Sequence, residues 1–102
     1  MDNCGEEITF IMEMRAMERA FRRSVGQLNL VKNKVHAVMT RYNRAVKNDQ
    51  KSLRMNYRLQ LLTIEGVQSM YWHYSRALAD RLDEMEEELL VKFDIEWHDV
   101  AE

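Results

Sequence analysis

Apolar side chains recur along residues 10 to 45 on two interleaved seven-residue tracks. One carries Met14, Phe21, Leu28, Val35 and Tyr42; the other carries Phe10, Met17, Val31, Val38 and Ala45, with Ser24 the polar member that interrupts it. Alternating steps of three and four residues bring such positions to one side of an α-helix and make the seam by which helices pack in coiled coils. A third track, Ile11, Val25, Met39 and Val46, widens the stripe beyond what one neighbouring helix covers. Asn3 with Glu6 has the form of a capping box, in which the Asn oxygen accepts from a free N–H of the first turn and the Glu reaches back. A helix is therefore expected from about residue 5 to about residue 48. Gly26 lies inside it and costs about 1 kcal/mol relative to alanine, but the heptad phase is the same on both sides, so the helix reads through.

The run Lys47-Asn48-Asp49-Gln50-Lys51-Ser52 is polar throughout and offers a helix stop followed by a new N-cap, which predicts a turn over about 48–52. A second helix is expected over about 52–91, with Tyr57, Leu61, Ile64, Val67, Tyr71, Tyr74, Leu78, Leu82, Met85 and Leu89 on one face. The expected fold is all-α: one domain formed by a long antiparallel, coiled-coil-like helical hairpin that builds a multi-helix bundle by oligomerising. Two other architectures share the pattern. The stripe continues through Tyr42, Val46, Leu53 and Tyr57 as one uninterrupted helix, and a break at Gly26 gives a three-helix bundle.

Composition adds support: the chain is 46% hydrophobic and 31% charged, with no proline and three glycines, which suits a folded chain poor in turn signals. The single cysteine, Cys4, leaves no intrachain disulfide to form, and the apolar runs fall far short of the roughly 20 residues that cross a bilayer. A soluble intracellular protein, cytoplasmic or nuclear, is expected. Charge changes the picture more, because the net of -2 hides a strong asymmetry: residues 1–14 carry -4, residues 15–60 carry +10 and residues 61–102 carry -8. A fold-back near Asp49 would set Arg15 opposite Glu84, and Arg19, Arg22 and Arg23 near Asp80, Asp83 and the cluster Glu84, Glu86, Glu87 and Glu88. Exposed pairs contribute at most about 1 kcal/mol each, so they would set register more than stability. The tip gathers Arg41, Arg44, Lys47, Lys51, Arg54 and Arg58, with Lys32 and Lys34 behind, a candidate surface for nucleic-acid phosphates or an anionic membrane.

The chemistry-bearing residues are sparse. His36, His73 and His98 lack the spacing of a structural zinc site, and Asp94 with His98 supplies two ligands where three or four are needed. Ser69 and His73 stand four apart without a third residue to orient the base or a glycine-rich oxyanion turn, and no phosphate-cradling loop is present. Neither catalysis, cofactor, metal nor small-molecule substrate is expected. Tyr71-Trp72-His73-Tyr74 spreads over about 300° of a helix, so some aromatic surface faces outward; in one reading Tyr71 and Tyr74 are core while Trp72 and His73 lie across the flank with polar tips in water, and in the other Trp72 is a partner anchor. Met12, Met14 and Met17 read as adaptable core filler or as part of a docking surface. In the tail, over 92–102, Phe93, Ile95 and Trp97 alternate with acids in the period of a strand. Glu96-Trp97-His98-Asp99-Val100 is similar to the short aromatic-x-x-aliphatic pattern by which peptides add a strand to the ubiquitin-like modifiers of autophagy, which makes Trp97 a second candidate anchor. The other reading folds this tail over the end of the hairpin. The function expected is a non-catalytic interaction and assembly subunit that homo-oligomerises or joins other helical proteins through the seams of both helices, Met14 to Tyr42 and Tyr57 to Leu89. The alternative is polyanion binding through the basic tip.

Overall fold

The computed structural model describes residues 4–100: α1 spans Cys4–Lys47, α2 spans Lys51–Phe93, and α3 is a single turn over Trp97–Val100. The helices α1 and α2 form an antiparallel hairpin, which excludes both the uninterrupted helix and the three-helix arrangement. Gly26 and Gly66 both lie inside helices, and a Cβ at either would meet nothing within 4 Å. Asn3 of the expected capping box falls outside the described residues. Glu6 and Glu7 occupy the first turn of α1 and Arg44 and Lys47 its last, so each end carries the charge its backbone dipole favours.

The turn is built from hydrogen bonds that the polar run alone does not specify. Asp49 adopts φ 53°, its N–H donates to the Val46 carbonyl at 3.2 Å, and the Gln50 N–H donates to the Ala45 carbonyl at 2.9 Å. These two bonds and the left-handed residue between them are a Schellman motif, with Asp49 at the position glycine normally holds. The Gln50 carbonyl then accepts from the Arg54 N–H at 3.0 Å, so Gln50 is the N-cap and α2 begins at Lys51, one residue before the expected Ser52.

The seam of α2 departs from expectation at two places. Val67 and Tyr74 are exposed, whereas Gln68 is half-buried and Ser75 is buried. The seam steps by four and three through Leu61, Ile64, Gln68, Tyr71, Ser75, Leu78, Leu82, Met85 and Leu89, as α1 steps through Ser24. At these two turns the seam position is polar and the apolar residue beside it faces outward.

The chain divides into two compact units: unit 1 comprises Met1–Arg23 with Tyr74–Glu102, and unit 2 comprises Ser24–His73. In unit 1, Met14, Met85 and Leu89 are almost completely enclosed, and Phe10, Ile11, Met17, Phe93, Ile95 and Trp97 pack around them. The Phe10 and Phe93 rings meet at 5.9 Å, tilted by 58°. The strand-like alternation of Phe93, Ile95 and Trp97 does not form a strand. Asp94, at φ 55°, ends α2 with its N–H on the Leu90 carbonyl at 2.9 Å, and this left-handed residue turns the chain back on itself. The three alternate apolar side chains then converge on one cluster instead of pointing to two faces. Arg15 fastens the tail by donating from Nη2 to the Val100 carbonyl at 3.0 Å.

The proximity expected between α1 bases and α2 acids does not produce contact ion pairs. Among the described residues no ion pair within 4.0 Å joins Arg15, Arg19, Arg22 or Arg23 to the acids of α2. Arg22 pairs with Glu18 on its own helix at 2.9 Å, and Arg81 with Glu84 at 3.1 Å and Glu88 at 3.5 Å. The Glu84 hydrogen bond, reinforced by Glu88, holds the Arg81 guanidinium above its ordinary pKa. Local pairs win because residues three or four apart on one helix already face each other, at little cost in side-chain order.

In unit 2, Val38, Ala45 and Leu61 are the buried apolar residues, and the remaining seam side chains are half-covered. The Tyr42 hydroxyl accepts from Arg58 Nη2 at 2.9 Å and Nε at 3.2 Å, and the guanidinium carbon lies 5.5 Å from the ring centre.

Three stability changes follow, each measurable by urea unfolding followed by circular dichroism. Gly26→Ala raises stability by about 1 kcal/mol, because the site is helical and open. Asp49→Gly raises it by about 1 kcal/mol by removing the left-handed strain of a side-chain-bearing residue. Leu89→Ala lowers it by about 2–5 kcal/mol, since Leu89 sits in the enclosed cluster.

Candidate helix-docking surface

Most residues expected to meet a partner along the seams are used within the chain. Met14, Val38, Leu61, Leu82, Met85 and Leu89 are buried, and Met17, Phe21, Leu28, Val31, Val35, Tyr42, Tyr57, Ile64, Tyr71 and Leu78 are half-covered by the hairpin itself. Of the flanking track on α1, Ile11 packs in the unit 1 cluster and Val25 is half-covered, while Met39 and Val46 stay exposed. Trp97 lies against the Met14–Met85–Leu89 cluster, whereas Trp72 is exposed, with the His73 ring edge-on at 5.3 Å. Met12 is exposed, unlike Met14 and Met17.

The feature that the heptad tracks do not reveal lies on the other side of α2 in unit 2. Met55, Leu59, Leu62 and Met70 are 56, 56, 67 and 71% exposed. At about 100° per residue they share an arc of about 80°, centred about half a turn from Tyr57, Leu61, Ile64 and Tyr71. This part of α2 therefore carries apolar stripes on opposite faces. The sequence does hold a signal for it: Glu65 is the only Asp, Glu, Lys or Arg between Arg58 and Arg76. A solvent-facing helix surface is normally laced with charge, and a helix that is apolar on both sides is one that other helices enclose.

Beside this stripe, still within unit 2, runs a groove of about 590 Å³. Buried Val38 and half-buried Ile64 form its apolar floor, Leu59 joins it to the outer stripe, and exposed Lys34 and Arg41 stand at its edge. Among the described residues no carboxylate lies within 4.0 Å of either base.

The six basic residues of the tip are not equivalent. Arg58 is spent on Tyr42, and Arg54 is largely covered, with Nη2 4.0 Å from Asp49. Arg44 and Lys47 lie in the last turn of α1, at the negative end of its dipole, and Lys51 is exposed at the start of α2. Arg41 alone among the six lines the groove.

At the other end of the chain, the tail assembles three potential ligands where the sequence suggested two. His98 Nε2 lies 3.1 Å from Glu96 Oε2 and 3.2 Å from Asp99 Oδ1, and Asp94 is not a member of the group. All three side chains are exposed, where water already solvates the carboxylates. Ser69 and His73 are exposed on α2. No helix among the described residues is long and apolar enough to cross a membrane. Comparison with known protein families, curated proteins and solved structures finds no match for this chain.

The two tryptophans report the difference between the tail and the flank of α2. In Trp72→Phe the remaining Trp97 emits at shorter wavelength and is quenched less by acrylamide than is Trp72 in Trp97→Phe, as steady-state fluorescence of the two variants will show.

Proposed function

We propose that this chain is a non-catalytic assembly module that docks further helices onto the outer face of α2. The observation that carries the reading is the stripe Met55, Leu59, Leu62 and Met70, exposed in a stretch of helix almost free of charge. Two helices cover only the seam between them, so a second apolar face on one of them calls for a third helix. The seams keep the hairpin closed, and the outer face recruits.

Site-specific photo-crosslinking in cells tests the reading. A crosslinker in place of Leu62 is expected to give a discrete adduct with a helical chain, and one in place of exposed Asn33 on α1 is expected to give none. Absence of an adduct from Leu62 contradicts the proposal. Leu59→Gln combined with Leu62→Gln is expected to change the stability of the isolated hairpin by no more than about 0.5 kcal/mol, because both residues are at its surface. The same double variant, with a crosslinker at Met70, loses the adduct.

A further inference from the structure

The groove of unit 2 calls for a specific kind of occupant: a helix face with an apolar centre and acids around it. The acids of that description lie on one surface of unit 1. On α2, Val91 is 79% exposed and lines a hollow of about 550 Å³ with Glu84, Glu87, Glu88 and Lys92, and Glu84 and Glu88 already pair with Arg81. Asp80 lies one heptad before Glu87 on the same side of the helix, and both are exposed.

Two physical correspondences connect these surfaces. Lys34 and Arg41 are seven residues apart, as are Asp80 and Glu87, and seven helical residues span about 10.5 Å in both cases. A helix laid along the groove can therefore set two carboxylates beside two cations at once. Net charge agrees: residues 24–73 carry eight Lys or Arg against Asp49 and Glu65, a net +6, whereas residues 1–23 with 74–102 carry a net -8. Leu59 and Glu87 belong to one unbroken helix, so the acidic face that fills a groove comes from another molecule.

We propose, resting on the assembly reading above, that the partner is a second copy of this chain, whose acidic Val91 face on α2 lies in the Lys34–Arg41 groove of unit 2. The two surfaces are unlike, so each contact is heterologous, and a dimer closes when both contacts form between the same two copies. Opposite charge supplies register and a salt-sensitive encounter, and Leu59, Val38 and Ile64 supply the apolar surface that the docked helix covers.

Sedimentation equilibrium of the purified full chain at micromolar concentration tests this. The parent is expected to be a dimer at low salt, with a dissociation constant about tenfold or more weaker near 1 M salt, where the Debye length falls to about 3 Å. The pair Lys34→Glu with Arg41→Glu, and separately the pair Asp80→Lys with Glu87→Lys, should each be monomeric with unchanged helicity. Mixed in equal amounts, the two variants should form a heterodimer. Leu59→Ser should weaken the parent dimer without altering helicity, which guards against reading a folding defect as lost association. A parent that stays monomeric at every salt concentration overturns the inference, as do charge-reversed variants that dimerise like the parent or stay apart when mixed. A monomeric parent that still gives a Leu62 adduct with a different protein overturns self-pairing while leaving the assembly reading in place.

Discussion

Two helices in contact bury only the strip that each turns toward the other, and every other feature of this chain is arranged around that limit. The strips here are regular. Met14, Met17, Phe21, Ser24 and Leu28 on α1, and Leu78, Leu82, Met85 and Leu89 on α2, follow the alternating three- and four-residue steps that keep a helix face aligned with a neighbour. Even so, only a few of these side chains are enclosed, and the largest fully buried ones, Met14, Met85 and Leu89, are where a third element arrives. The tail turns back at Asp94 and lays Phe93, Ile95 and Trp97 over Met14, Met85 and Leu89. Unit 1 thus shows what a two-helix seam needs before it becomes a closed core. In unit 2, α2 keeps an exposed apolar outer face beside a groove.

The electrostatics follow the same division. Exposed acids and bases on one helix find partners a turn away, as Arg22 does with Glu18 and Arg81 with Glu84. Charge segregation then has another consequence: a basic unit and an acidic one in the same chain present opposite fields to other molecules. Fields of this kind change how fast and in which orientation molecules meet more than they change how tightly seams hold.

The hairpin was legible in the sequence because its determinants are local and periodic. The polar run around Asp49 marked the turn, and an unchanged heptad phase carried the helix through Gly26. Three features were harder to read, each for a physical reason. Gln68 and Ser75 hold seam positions that Val67 and Tyr74 were expected to fill, because a small or flexible polar side chain fits a narrow seam that a count of apolar residues overlooks. The reversal at Asp94 had no glycine to announce it, so alternation in Phe93, Ile95 and Trp97 took on the look of a strand. The outer stripe of Met55, Leu59, Leu62 and Met70 was hidden by the search for one apolar face per helix. Its clearest sign was a lack of charge rather than a motif.

The central claim is that the free hairpin leaves apolar helix surface in water and gains stability when a second copy covers it. Thermal unfolding of the purified chain over a hundredfold range of protein concentration tests this most directly, because association with the native state alone makes the midpoint depend on concentration. The account predicts a midpoint that climbs steadily with concentration at low salt. A midpoint that is the same at every concentration would contradict it.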